Sequence, residues 1–237
     1  MLDKLKTQRP VFAPNQKSTY SNVAFSLLGL ALSNATGLSY ADYMSAAIFA
    51  PLGMRHTSLR RPADAHAALP GTSPHYWDVE TGVEAPTGGI YSSASDLGRF
   101  LRHVLGRYNG LTPALNWLQP ASYAASVGSF YGAPWEIFRT TAVLRHRPRP
   151  LTFVTKAGGL PGYTSIIILV PQHDVGITIL VAGNGDALSA IRRLVTLPLA
   201  RAIDDLAAEQ VDHRYSGTYG KRTLQNTQPQ ARTAAHV

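Results

Sequence analysis

Three features of this sequence predict an α+β fold. Helical periodicity dominates the first hundred residues, four short β-rich runs follow from Trp135, and one amphipathic stretch, Ala187 to Glu209, lies behind them. Helices first, then antiparallel strands, then a helix to cover the sheet is the order expected of an α+β domain.

Each element has a local reason. After Asn22, Val23, Leu27 and Leu30 recur at helical spacing, as do Phe25, Leu28 and Leu32, and Gly37 supplies a C-terminal stop. Ser39 with Asp42 reads as a capping box for a second helix through Met44 and Ile48, ended by Pro51. Residues 60–90 are rich in Pro, Gly, Thr and Ser and read as a long surface excursion. Ser93 or Ser95 caps a helix holding Leu97, Phe100, Leu101 and Leu105. The strand runs are 135–142, 151–156, 165–170 and 176–182, with Pro171 to Asp174 as a hairpin turn between the last two.

Composition narrows the function classes. At 237 residues with 45% hydrophobic content, the chain suits one domain with a sizeable core. It has no cysteine, so disulfides, thiolate nucleophiles and Cys-based zinc sites are excluded together. The eight histidines lack His-x-x-x-His or similar spacing, so neither a metal site nor a cofactor is expected. The formal charge of +8 is spread over loose clusters at 55–61 and 145–149 without interleaved aromatics. That pattern reads as a basic solvated surface rather than a nucleic-acid interface. Met1 to Pro10 is polar and shows no signal peptide, and no apolar run approaches the length of a membrane span. The compartment stays open.

The motifs that carry chemistry come as an ordered set. Tyr20-Ser21-Asn22 runs into Phe25-Ser26-Leu27-Leu28-Gly29. Pro51-Leu52-Gly53-Met54 with Thr57 follows, then Gly88-Gly89-Ile90-Tyr91-Ser92-Ser93 with Asp96-Leu97. Lys156-Ala157-Gly158-Gly159 and Pro161-Gly162-Tyr163 close the set. Together they resemble the serine β-lactamase and penicillin-binding-protein-like family, nearest its class C branch of esterases and D-aminopeptidase-type hydrolases, over about residues 18–210. The resemblance implies a partial β-lactamase/transpeptidase-like fold: a helical region, antiparallel strands and a covering C-terminal helix.

It also implies site residues. A serine hydroxyl becomes a nucleophile only when a base takes its proton, and a phenol serves as that base where cations favour its ionised form. On the resemblance, Tyr20 is the general base, Asn22 positions the substrate or the missing lysine of Ser-x-x-Lys, and Lys156 supplies positive charge. Gly158 and Gly159 shape the substrate edge, with the Gly159 N–H as an oxyanion donor. The substrate would be a small acyl compound: an ester, amide or lactam. Ala157 stands where the family often has threonine, a hydroxyl that could bind a substrate carboxylate, which tilts the reading toward esters or acyl groups rather than β-lactams.

The family's nucleophile motif, Ser-x-x-Lys, is missing. Lys4, Lys6, Lys17, Lys156 and Lys221 are preceded three residues back by Met1, Asp3, Pro14, Phe153 and Thr218. No Gly-x-Ser-x-Gly elbow offers a substitute serine. The expectation is therefore a serine hydrolase portion, cut at its N-terminal side and not competent alone. The alternatives are a catalytically dead homologue that binds or regulates, and a fragment that complements another chain.

Purely structural readings stand beside these. Tyr20 could pack at a helix start, Asn22 could be an N-cap, and Lys156 could be an edge-strand lysine that opposes aggregation. Trp135 and Glu136 read as core plus surface at the start of a strand. By region, 1–19 is an irregular lead-in and 20–210 a partial β-lactamase-like domain. Residues 211–237 read as a stub of a following β-rich domain, opened by Tyr215 to Tyr219, or a disordered tail. The core is expected to be partly open, with an unpaired strand edge and uncovered apolar surface through which the chain could associate.

Overall fold

The structure is a computed structural model that describes residues 2–71, 74–107, 110–144 and 148–218. Its helices are α1 (Leu2–Lys6), α2 (Asn22–Thr36), α3 (Tyr40–Met44), α4 (Ala85–Gly88), α5 (Ala94–Arg107) and α6 (Asp186–Tyr215). Its strands are β1 (Ser122–Tyr123), β2 (Ser129–Tyr131), β3 (Glu136–Thr140), β4 (Leu151–Leu160), β5 (Tyr163–Val170) and β6 (Val175–Ala182). The strands form one antiparallel meander in chain order.

Strand alternation divides the core into two layers. Leu151 and Phe153 of β4, Ile166 and Ile168 of β5, and Ile177 and Ile179 of β6 pack with Leu188, Leu197 and Ala200 of α6. On the opposite face, Ile137, Val154 and Leu169 pack with Leu101 and Val104 of α5. A Cβ at Gly176 would lie 3.0 Å from the Leu101 side chain, so α5 sits directly over β6. Helices thus cover both faces, and β6 is an edge strand among the described residues.

The expected helix signals hold. Ser39 caps α3, accepting the Asp42 N–H at 3.1 Å, and α3 continues as one π-helical stretch, Ser45–Phe49. Gly37 closes α2 in a left-handed conformation (φ +69°), a geometry that glycine adopts without Cβ strain. Ser93 is the residue that caps α5, its hydroxyl accepting the Asp96 N–H at 3.3 Å. The buried Asp96 carboxylate then accepts the His56 N–H at 2.6 Å and the Thr57 hydroxyl at 2.9 Å. That pair ties the 54–57 turn to α5.

Several elements differ from the sequence reading. The 1–19 lead-in contains α1. Strands β1 and β2 lie ahead of Trp135, where the sequence predicts no strand. α6 runs past Glu209 to Tyr215, with Pro198 inside it, so 211–215 are helical and Tyr215 ends a helix rather than opening a strand. Residues 219–237 lie outside the described residues. The apolar side of α2 is open at Leu27, Leu28 and Leu30, and α6 likewise at Ile191, Leu194 and Leu199.

α2 is held by one close contact. A Cβ at Gly29 would lie 2.1 Å from the Pro86 Cγ of α4. Gly29→Ala is expected to cost about 1–3 kcal/mol, because overpacking forces the two helices apart. Gly98 is the control: it lies inside α5, and a methyl group there would meet no atom within 4 Å. Gly98→Ala should gain about 0.5–1 kcal/mol from helix propensity. Urea denaturation of both variants checks the opposite signs.

Candidate active site

The site begins at the start of α2. Ser21, not Asn22, is the N-cap: its hydroxyl accepts the Ala24 N–H at 3.3 Å, and Asn22 is the first helical residue. The Ser21 cap places Tyr20 just ahead of the helix, with its ring 5.8 Å from the ring of Phe25. Tyr20 is 45% exposed, so its ring stands at the surface rather than in the core.

Lys156 reaches this ring from the other end of the chain, with Nζ 4.6 Å from the Tyr20 ring centroid. A cation over an aromatic face is favourable by about 0.5–2 kcal/mol, depending on desolvation. The backbone explains the position. β3 pairs with β4 only as far as Glu136 opposite Thr155, and beyond that β4 has β5 alone as a neighbour. Lys156 is the first residue past the end of the β3 ladder.

Glu136, which in sequence terms is only the surface half of a Trp-Glu pair, completes the junction. Its Oε1 accepts from Lys156 Nζ at 2.9 Å, and Nζ also donates to the Ala157 carbonyl at 3.2 Å. The Glu136 carbonyl accepts the Thr155 hydroxyl at 2.9 Å, fixing the carboxylate's origin. Nothing in the local sequence signals this pair, because it depends on the β3–β4 register.

The two glycines extend the open edge. The Ala157 carbonyl is turned toward Lys156 Nζ, and Gly159, two residues on, shares its sense in the antiparallel ladder. A Cβ at Gly158 would lie 2.7 Å from the Ser165 Oγ, whereas a Cβ at Gly159 would meet no atom within 4 Å. Both glycines are exposed. The structure thus brings Tyr20 and Lys156 together beside this edge. Asn22 is exposed, and its side chain makes no hydrogen bond among the described residues.

The far tip of the edge is strapped from outside. Residues 60–90 are an excursion in sequence terms, yet Trp77 within them is buried. Its indole N–H donates to Asp64 at 2.7 Å, its carbonyl accepts the Tyr91 hydroxyl at 2.6 Å, and its ring meets Tyr91 edge-on at 5.0 Å. The Tyr76 N–H donates to the Pro161 carbonyl at 3.0 Å, and the Tyr163 hydroxyl to the Ala68 carbonyl at 3.2 Å. Gly162, at φ +83°, leaves only 2.5 Å between its Cβ position and His75 Cβ. No other residue fits that turn against the strap.

Comparisons with known proteins bear on the family and the fold. A family model described as Beta-lactamase matches residues 1–200. The chain belongs to the β-lactamase family. Among its relatives, a probable hydrolase of Phoma sp. is 37% identical over 219 residues, covering 92% of this chain and 36% of that protein. A β-lactamase-like protein of Arthroderma benhamiae is 33% identical over 230 residues, covering 95% and 38%. The chain therefore spans little more than a third of the length of these β-lactamase-family relatives. A mutant class C β-lactamase superposes with TM-score 0.62 at 25% identity, over 76% of this chain and 57% of that one. A β-lactamase/D-alanine carboxypeptidase from Pseudomonas syringae gives 0.65 at 22% identity, over 82% and 64%, a likeness of fold. The β-lactamase/transpeptidase-like fold expected from the sequence is thus the fold observed. No single described helix is long and apolar enough to cross a membrane.

Asp64 gives the strap a pH signature. The Trp77 indole N–H, and after it the Arg61 guanidinium at 2.6 Å, hold its carboxyl below the usual carboxylate range. Burial pushes the Tyr91 and Tyr163 phenols up. Because Asp64 is depressed in the folded state, its stabilising contribution is present above the unfolded carboxyl pKa of about 4 and is lost as pH falls through the folded value. The thermal midpoint of the wild type should exceed that of Asp64→Asn at about pH 6, with the gap closing as the solution is taken below about pH 4.

Proposed function

We propose that this chain carries the tyrosine–lysine half of a serine acyl-hydrolase site and does not turn over substrate unaided. The observation that carries the reading is the convergence of Lys156 Nζ on the Tyr20 ring at 4.6 Å, beside the open Gly158–Gly159 edge. In the proposed reaction, a serine hydroxyl supplied from a Ser-x-x-Lys segment attacks the acyl carbonyl. Tyr20 takes its proton and passes it to the alcohol or amine that leaves as the C–O or C–N bond breaks, Lys156 offsets negative charge at the site, and the Gly159 N–H stabilises the developing oxyanion. Water then attacks the acyl-enzyme, Tyr20 takes the water's proton and returns it to the serine oxygen, and the carboxylic acid departs. The substrate class is a small ester, amide or lactam.

A second reading is a catalytically dead homologue that binds an acyl ligand. The exposed Gly158–Gly159 edge beside Lys156 is the surface that would take that ligand.

The test is hydrolysis of p-nitrophenyl butyrate by the chain alone and by the chain mixed with the Ser-x-x-Lys-bearing segment of the Phoma sp. relative. Only the mixture is expected to turn over, and Tyr20→Phe or Lys156→Ala should lower its rate by about 10²–10⁴-fold. Ligand binding without turnover in the mixture favours the dead homologue. A mixture rate unaffected by Tyr20→Phe refutes the assigned base.

A further inference from the structure

The charge at the rim of this cleft does not match its most prominent residue. Lys156 taken alone would make the open edge of β4 an anion-seeking site. Instead the Glu136 carboxylate lies 2.9 Å from its Nζ, and the two side chains are only 30% and 24% exposed respectively. A partly enclosed ion pair is screened less by solvent than a surface pair, so each charge answers mainly to the other. A second donor direction of Nζ is taken up locally by the Ala157 carbonyl at 3.2 Å, and the Tyr20 ring centroid lies 4.6 Å away.

The next positions add no side-chain donor for an anion. Ala157 has no side-chain donor, and Gly158 and Gly159 offer backbone only. A carboxylate approaching this edge would meet a cation already neutralised, with a second carboxylate a few ångströms behind it, and like charges at that range repel. An uncharged acyl group would meet no such repulsion. The backbone edge at Ala157 and Gly159 can still hydrogen-bond its carbonyl and amide.

We infer that Glu136 is a specificity-determining residue that cancels the charge of Lys156 and makes this site select uncharged acyl ligands over carboxylate-bearing ones. The inference rests on the reading of the Tyr20–Lys156 cleft as the ligand site. Its anchors are independent of a nucleophile. Glu136 is fixed by its own backbone pairing with Thr155 and by the Thr155 hydroxyl on its carbonyl.

The experiment uses the whole chain and a matched ligand pair, phenylacetylglycine methyl ester and the phenylacetylglycine anion, which differ by one charge. Binding is followed by NMR at the Ala157 and Gly159 amides, so that the site is reported along with the affinity. The wild type should bind the ester at least about tenfold more tightly than the anion. Glu136→Gln should shrink that ratio by about tenfold by admitting the anion. Glu209→Gln, which removes an exposed carboxylate late in α6, makes the same change in net charge and should leave the ratio alone.

Equal or tighter binding of the anion by the wild type overturns the inference while leaving the cleft reading intact. So does a Glu136→Gln ratio no different from that of Glu209→Gln. The wild-type ratio decides the matter even if Glu136→Gln fails to fold. If neither ligand moves the Ala157 and Gly159 amides, the cleft reading fails and this inference falls with it.

Discussion

Strand β4 passes from burial on both faces to exposure within a few residues, and the rest of the site depends on that passage. From Leu151 to Thr155 every residue is buried, gripped by β3 on one side, β5 on the other and a helix over each face. β3 then stops, and Ala157 to Gly159 are exposed. Lys156 sits at the boundary, where a long amphipathic side chain can leave its stem against the sheet and extend its charge outward. A lysine one or two residues earlier would be enclosed between α5 or α6 and the sheet, where an unpaired ammonium is costly. One residue at the boundary is thus both permitted by the core and available to the cleft.

The same boundary dictates the partner. Glu136 is the first residue of β3 and lies opposite Thr155, so the carboxylate nearest the emerging ammonium is set by ladder register rather than by surface chance. Tyr20 arrives by a different route. Its position follows from the Ser21 cap and from the Gly29–Pro86 contact that locks α2 against α4. Two unrelated packing constraints therefore converge on one cation, and neither requires the other. This explains how residues 20, 136 and 156 come together although no short-range pattern links them.

What is legible in the sequence follows from the range of each interaction. Caps and stops at Ser39, Gly37 and Ser93 are local hydrogen bonds or local dihedrals, and the sequence displays them directly. The long strands show as β-branched runs. β1 and β2 have two and three residues, too few to establish a period, and no pattern marks them. Ala-Gly-Gly is poor in strand formers, which predicts that β4 ends at Lys156. It continues to Leu160 because pairing with β5 overrides that preference. The Pro- and Gly-rich excursion is irregular as its composition suggests, but its Trp77 anchor is a tertiary fact. Tyr20 and Lys156 can be named as site residues from the ordered motifs, while Glu136 needs the register.

The anchors of the cleft also bear on how binding and chemistry relate in this chain. The β4–β5 tip is held by the strap: Tyr76 donates to Pro161, Ala68 accepts from Tyr163, and His75 closes on Gly162. The 54–57 turn is held by Asp96, and the start of α2 by Ser21 and Gly29. All of these contacts are made between described residues of this chain, so the β4–β5 tip, the 54–57 turn and the start of α2 are each fixed by its own side chains and backbone. On the proposed reading of the Tyr20–Lys156 site, ligand selection at the exposed end of β4 can therefore be asked of the chain as it stands.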